Sequence, residues 1–423
     1  MRKTLKEIAH FLGQKSNREE SVSHFVCDSR LAKGGSLFFA LKGKNDEDRL
    51  FLKGVAERGG SGAVVQEHYK GEDFGLELIR VEDVTQALQA LAQHLFREID
   101  PYVVGVTGSV GKTTTKEWIV ALISEKIPVA KSSGNMNSQV GLPLTLLNWE
   151  GKEGVIVLEM GMSRAGEICR LAEIAHPALG VLTRIDCQHA RSFSDLEGIA
   201  CAKCEMFASP KMKRGIFHIS TKEFSSVRGL PLEKTWYHLS DAQADYTLDS
   251  LPFIPPFEES HFRENILAAV AVARSFGLSW QEIHRGVNKL KPYNHRFQKR
   301  EKGGVLFIDD AYNASPLSMK AALENLPQGR RRIGVLGAMR ELGSFEREVH
   351  REVAECALKS IDILICVGSE CMPMVEVFRR ERREVVLFEE KGAAAEHLNS
   401  IIEEGDVVLV KGANIWKLWT IIE

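Results

Sequence analysis

Residues 107–114 read Thr-Gly-Ser-Val-Gly-Lys-Thr-Thr, and these types at this spacing suit the holding of a phosphate chain. Gly108 and Gly111 permit backbone angles that aim successive amides inward, forming an anion-binding nest. Thr107, Ser109, Val110 and Thr114 complete the turn, Lys112 can reach terminal phosphates, and the Thr113 hydroxyl suits Mg²⁺. The common form of this loop carries a glycine five positions before the Gly-Lys pair. Here that position is Val106, so the pattern is the shorter Thr-Gly-x-x-Gly-Lys-Thr. It predicts that the chain binds a nucleoside triphosphate.

Other residues could do chemistry beside that loop. Glu159 closes the apolar run Gly154-Val155-Ile156-Val157-Leu158. An acid at the carboxyl end of a buried parallel strand, next to a phosphate loop, is usually a Mg²⁺ ligand. His189 falls just beyond the strand pattern Gly180–Thr183 and suits metal, phosphate or core packing. Cys187 and His189, with Cys201 and Cys204, offer the donor types and number of a tetrahedral Zn²⁺ site. Against zinc, Cys201-x-x-Cys204 falls inside the helical stretch 194–207 and lacks a knuckle turn, so packed thiols are expected. Arg30 could hold a phosphate, but on residue chemistry alone a solvated surface arginine is the better reading.

The elements that must position these groups are legible as patterns. Val103, Val104 and Val106 predict a strand into the loop, and Trp118, Ile119, Leu122 and Ile123 predict one face of a helix out of it. Residues 1–98 read as a small α/β domain, with a buried strand at Ser36–Leu41, another at Ala63–Val65 and a helix from Val84 to Phe96. Residues 99–297 form the nucleotide domain, built on a parallel sheet. It includes an Ala-rich helix over Ile266–Phe276 with Asn265 at its start. The proline and turn formers of 290–298 mark the next boundary. Residues 298–423 repeat the α/β pattern, with strands at Val305–Asp310, Arg332–Gly337, Ile361–Gly368 and Val407–Val410.

Composition sets the class. The chain has 423 residues, 55 basic against 57 acidic, for a net charge of −2. That balance recommends neither nucleic acid nor an anionic membrane as partner. No apolar run approaches a membrane span. The first residues lack the apolar core of a signal peptide. Eight cysteines scattered over this length read as reduced thiols, and a cytoplasmic protein, monomeric by expectation, follows.

Taken together, the motifs resemble the Mur ligases. The resemblance rests on the loop, on Gly134-Asn135-Met136-Asn137 with Gly141-Leu142-Pro143, and on Leu158-Glu159-Met160-Gly161. His189 with Ala202-Lys203-Cys204-Glu205, His261 with Asn265, and Asp309-Asp310-Ala311-Tyr312-Asn313-Ala314 also fit. Leu336–Gly343 and Val410-Lys411-Gly412 complete the set. The resemblance implies a three-domain α/β fold with a small N-terminal substrate domain, a central P-loop sheet and a C-terminal Rossmann-like domain. It implies ATP and Mg²⁺ as cofactors, with Lys112, Lys203 and His189 as catalytic residues. Thr113, Glu159, His189 and Lys203, the last as a carbamate formed with CO₂, would serve the metal ions. Asn265 would meet adenine, and Arg296 and Asp310 the ribose and phosphates. Ser29 and Arg30 would meet the uridine-diphosphate end of the substrate, and Asn137, Tyr312 and Asn313 also belong to the substrate-binding set.

Within the family, the Tyr-Asn-Ala and Met-x-Glu-Leu-Gly segments favour the branch that joins D-alanyl-D-alanine to UDP-N-acetylmuramoyl-tripeptide through an acyl phosphate. The alternatives are another Mur-type or folylpolyglutamate-type ligase, or an inactive nucleotide-binding relative. Against the pattern the resemblance implies, Glu47-Asp48-Arg49 stands for Asp-Gly-His, Ala190-Arg191 for Leu-Glu, Phe262 for asparagine, His295 for glycine, Ala311 for serine and Ala413-Asn414 for Ser-Arg. None removes a phosphate or metal group, so activity with altered substrate contacts is expected.

Overall fold

The structure, a computed structural model, describes residues 3–41, 48–187 and 192–422; of residues 48–50 and 344 the backbone alone is described. Three mainly parallel sheets carry the chain, beside a small antiparallel pair of Lys3–Thr4 with Ser21–Val22. The first has four strands in the order His24–Val26, Ser36–Phe39, Gly62–Gln66, Glu77–Val81, all parallel. Helix Val84–Ile99 leaves this sheet, its start capped by Asp83 accepting from the Gln86 amide. Its apolar face, Leu88, Leu91, Leu95 and Phe96, shares one core with Leu142, Leu146, Ile168 and Leu171 of the next domain. The N-terminal domain is therefore welded to its neighbour by apolar burial.

The central sheet orders its six strands Glu233–Tyr237, Arg214–His218, Leu179–Leu182, Tyr102–Thr107, Val155–Glu159, Val129–Lys131, and every pairing is parallel. The inner strands Leu179–Leu182, Tyr102–Thr107 and Val155–Glu159 are buried nearly throughout and read as continuous apolar runs. Register places Val106 beside Glu159 and Thr107 beside Leu182. The ends of three strands thus meet at the loop, where ligands bind in such sheets. Helix Lys112–Ile123 buries Trp118, Ile119, Leu122 and Ile123 in one cluster with helix Ser260–Ser275. That second helix begins earlier than the sequence pattern indicated, so Asn265 lies inside it and not at its start. The alanine-rich face marks only its later turns. Phe262, packed 5.4 Å from Trp118 and 5.1 Å from Phe257, extends the buried face by a turn.

The C-terminal sheet runs Gln298–Lys302, Val305–Asp309, Val407–Lys411, Arg332–Gly337, Ile363–Val367, Glu384–Phe388. Its edge hairpin is antiparallel and the remaining pairs are parallel. No helix of the described residues is long and apolar enough to cross a membrane.

The loop helix is held by packing, since its own N-terminus is capped by a glycine with no side-chain bond. Ile119 is fully buried. Ile119→Ala is expected to cost roughly 2–5 kcal/mol, measured by denaturant unfolding. A loss below about 1 kcal/mol would show that this packing does not pin the loop helix.

Candidate active site

The loop takes its shape from its own residues. Gly108 has φ +145° and Gly111 φ +83°, both in the region that favours glycine. A Cβ on Gly108 would fall 1.8 Å from Thr183 Oγ1, and one on Gly111 2.6 Å from Asn265 Oδ1. Hydrogen bonds hold the turn from the neighbouring strand end. The Ser109 amide donates to the Arg184 carbonyl at 2.7 Å, Thr183 Oγ1 donates to the Val110 carbonyl at 2.6 Å, and Ser109 Oγ accepts from the Asp186 amide at 2.9 Å. Thr107 sends its hydroxyl to the Met160 carbonyl at 2.9 Å.

Charge gathers around this frame. Lys112 Nζ donates to the carbonyls of Gly108 at 2.8 Å and Ser109 at 3.1 Å. Lys203 Nζ donates to the same Gly108 carbonyl at 3.0 Å. Burial, followed by the charge of Lys112, holds the Lys203 ammonium well below the ordinary lysine range. Burial also lowers Lys112, against the pull of Glu159. Across the loop, Thr113 Oγ1 donates to Glu159 Oε2 at 2.8 Å and Asn137 Nδ2 to Glu159 Oε1 at 2.7 Å. A hydroxyl beside an ionisable carboxylate is an all-oxygen donor set, which suits a hard cation such as Mg²⁺.

A cavity of about 620 Å³ opens over these groups, and residues of the C-terminal domain form its other wall. Arg296 lays its guanidinium 4.2 Å from the Tyr312 ring centroid, and its buried Nε has no hydrogen-bond partner. Asp310 Oδ2 accepts from Lys411 Nζ at 2.7 Å, and Lys411 also donates to the Asn313 carbonyl at 3.0 Å. Of the residues picked out from sequence, Ser109 to Thr114, Asn137, Glu159, Lys203, Asn265, Arg296, Asp310, Tyr312 and Asn313 line this one space. Asn265 Oδ1 accepts from Thr115 Oγ1 at 3.2 Å. Ser29 and Arg30 do not line it; Arg30 is exposed and pairs with Asp28 at 2.6 Å. His189 lies outside the described residues, as do Glu47 and Ala190-Arg191.

Several participants escaped the sequence reading. Lys116 is fully buried and donates to the carbonyls of Ser132 at 2.6 Å and Gly134 at 3.2 Å, tying the loop helix to the turn that carries Asn137. A lysine one helical turn beyond Lys112, on the buried face, was the available signal. Arg184 and Glu264 also line the cavity.

The alternative metal readings can be judged on geometry. Among the described residues, no metal-capable trio includes a cysteine. Cys204 is a buried thiol pushed up to about 12 by desolvation, as packing predicts, whereas Cys201 is exposed and departs from that expectation. His218, His238 and Glu264 do converge, their ligand atoms within 4.8 Å of one another. Yet both imidazoles accept backbone N–H groups at Nδ1. With Nδ1 accepting, Nε2 is the nitrogen left to carry a proton, the reverse of what a metal bound there needs. His218 Nε2 stands 3.5 Å from Glu264 Oε1 without a hydrogen-bond partner, and Arg184 lies 3.6 Å from Glu264 Oε2.

Comparison with known proteins completes the picture. Residues 106–246 match the Mur ligase middle domain, and residues 295–414 match the Mur ligase glutamate ligase domain. The chain is 32% identical to the UDP-N-acetylmuramoyl-tripeptide--D-alanyl-D-alanine ligase of Bacillus subtilis, covering 100% of this chain and 98% of that protein. The chain belongs to the Mur ligase family. It is also 28% identical to the ligase of the same name from Escherichia coli, over 97% of this chain and 95% of that one. Among solved structures, the MurF ligase of Thermotoga maritima in complex with ADP superposes with a TM-score of 0.79 at 28% identity, covering 95% and 96% of the two chains.

In this Mur ligase the amides of residues 108–112 are the most sterically constrained part of the site. Gly108→Ala is expected to weaken ADP binding by about tenfold or more, because the added methyl forces the turn off Thr183. Titration calorimetry reads this directly. Unchanged affinity would mean that these amides do not hold the phosphates.

Proposed function

We propose that this Mur ligase joins D-alanyl-D-alanine to UDP-N-acetylmuramoyl-tripeptide with conversion of ATP to ADP and phosphate, in cytoplasmic synthesis of peptidoglycan precursors. The carrying observation is the shared cavity, in which the phosphate loop, Glu159 and Lys203 of one domain face Asp310 and Lys411 of the next, with Arg296 at the joint between them. The full-length likeness to ligases of that name supports the choice of substrates. In this reading residues 1–98 hold the uridine diphosphate, with Ser29 and Arg30 among the contacts. Residues 99–297 hold the triphosphate, and residues 298–423 close over it.

The chemistry follows from the placement of charge. A peptide carboxylate oxygen attacks the γ-phosphorus of ATP, the bond to the β-γ bridging oxygen breaks, and ADP leaves. The amine of D-alanyl-D-alanine then attacks the acyl carbon, phosphate departs, and the amine proton is lost. Negative charge builds on phosphoryl oxygens in the first step, and the ammonium of Lys112, which lines the cavity, offsets it there. Asn137, Tyr312 and Asn313 orient the peptide, Asn265 the adenine, and Arg296 with Asp310 the ribose and phosphates. The cavity walls keep water from the acyl phosphate.

Thr113, Glu159 and a carbamylated Lys203 would hold Mg²⁺, with His189 near a second ion. The metal supplies neutralisation of phosphate charge. Lys203 is prepared for that modification, because only a neutral amine attacks CO₂. In the step, the nitrogen forms a bond to carbon, one C=O electron pair moves onto oxygen, and the ammonium-derived proton leaves to solvent. The product is an anion lying against Lys112, so the pair passes from repulsion to attraction.

Three measurements test the proposal. ADP release should require both UDP-N-acetylmuramoyl-tripeptide and D-alanyl-D-alanine; a strict preference for a single amino acid would move the chain to another ligase branch. Lys112→Ala should lower kcat/KM by at least about 100-fold, and unchanged turnover would remove it from the reaction. Lys203→Ala should be inactive and partly restored by small carboxylates. Full activity of the unmodified lysine in CO₂-free buffer would exclude the carbamate.

A further inference from the structure

The link between the central and C-terminal domains has an unusual conformation around Arg296. His295 has φ +57° and Phe297 φ +52°, so two non-glycine residues flank the arginine in the left-handed region. The three side chains leave in different directions. His295 Nδ1 lies 2.7 Å from Asp309 Oδ2, and its ring stacks on Trp419 at 4.9 Å with 25° between planes. Both partners belong to the C-terminal domain, and Asp309 is fully buried. Phe297 is buried on the other side, edge-on to His261 at 5.1 Å and to Phe262 at 6.3 Å on helix Ser260–Ser275. Between them Arg296 enters the cavity, with no partner for its buried Nε.

Backbone bonds fix the segment at each residue. The Arg296 amide donates to the Tyr293 carbonyl at 3.0 Å, the Tyr312 amide to the His295 carbonyl at 3.2 Å, and the Phe297 amide to Asp310 Oδ1 at 3.1 Å. Strained backbone persists only where surroundings over-determine it. Here the over-determining contacts are the imidazole on one domain and the phenyl ring on the other.

We infer that His295 is the positioning residue for Arg296: its imidazole, anchored on Asp309 and Trp419, holds the left-handed turn that aims the guanidinium into the nucleotide cavity. The segment acts as a rivet through both domains, with the arginine as its projecting point. The inference rests on the reading that this cavity takes ATP, and it adds a residue that touches neither nucleotide nor peptide.

The test pairs two substitutions. His295→Gly keeps the backbone angles available and removes the anchor. Asp309 still keeps Arg300 at 3.2 Å and the Ala311 amide at 3.3 Å, so no buried carboxylate is orphaned. His295→Asn tolerates the same angles and retains a donor for Asp309. The glycine variant is expected to raise KM for ATP, and the dissociation constant of a non-hydrolysable ATP analogue, by about tenfold. Its kcat and the KM values of the other two substrates should stay within about twofold, and the asparagine variant should recover most of the lost affinity. In an Arg296→Ala background, His295→Gly should add almost nothing, because the two act through one contact.

Full ATP affinity in His295→Gly would overturn the inference, as would an equal fall for all substrates together with a lower melting temperature. If the wild-type protein failed to bind the analogue at all, the ATP reading itself would fall. Analogue binding that Arg296→Ala weakens and His295→Gly does not would overturn only the role of His295.

Discussion

Two ammonium groups converge on one carbonyl oxygen, that of Gly108, and the rest of the site is arranged around that crowding. Lys112 donates to it from the loop helix and Lys203 from the helix Leu196–Cys204. Like charges placed so close repel, and more strongly away from water. Burial first, and the charge of Lys112 second, lower the proton affinity of Lys203 and ease that repulsion. A polyphosphate or a carbamate relieves it by supplying negative charge. The same crowding therefore favours an anionic ligand and a neutral, reactive amine. Glu159 cannot do this job alone, because both its oxygens already accept, from Thr113 and Asn137.

That concentration of charge is useful only if the loop does not relax, and the contacts that prevent relaxation reach into a second domain. Ser109 bonds the Asp186 backbone, while the Asp186 carboxylate accepts from the Leu317 amide at 2.8 Å, at the start of a C-terminal-domain helix. Ser260 and Asn325 exchange two hydrogen bonds across the same boundary, and Lys299 meets Glu259 at 2.8 Å. The apolar core of the loop helix runs on without a break into Met319, Leu323, Val353 and Phe378 of the last domain. The nucleotide cavity and the domain seam are thus one feature. A motion that opens one must break polar contacts in the other, which is the coupling that a sequestered acyl phosphate requires.

The sequence disclosed this architecture unevenly, and the reasons are physical. Buried parallel strands leave long apolar runs, so Val155–Glu159 and Arg332–Gly337 stand where their patterns put them. The glycines of the loop declare themselves because no other residue survives at those angles. The sequence pattern starts the helix of Asn265 too late because its alanine-rich run begins only after the first turns. Lys116 was passed over because a lysine on a pattern reads as solvated, and nothing local says that two carbonyls await it at the far end of a strand. Arg30 is legible as a motif residue, but its bond to Asp28 is a matter of a three-residue turn. Sequence shows where charge sits along the chain; which charge meets which is decided by register and by domain docking.

The departures from the family pattern follow a physical rule of their own. Phe262 stands where an asparagine is usual, and it is buried among Trp118, Phe257 and Phe297. Ala311 replaces a serine and is fully buried. Asn414, in place of an arginine, gives its side-chain amide to the Tyr312 carbonyl at 2.9 Å and its backbone amide to Asn313 Oδ1 at 3.4 Å. His295, in place of glycine, binds Asp309. Ala311 and His295 are satisfied within the protein, whereas Phe262 and Asn414 also line the cavity. Lys112, Lys203, Arg296 and Lys411, which carry the cavity's positive charge, are untouched. Keeping these cations in place preserves the preorganised charge on which phosphoryl chemistry depends, while the wall around them changes at Phe262 and Asn414.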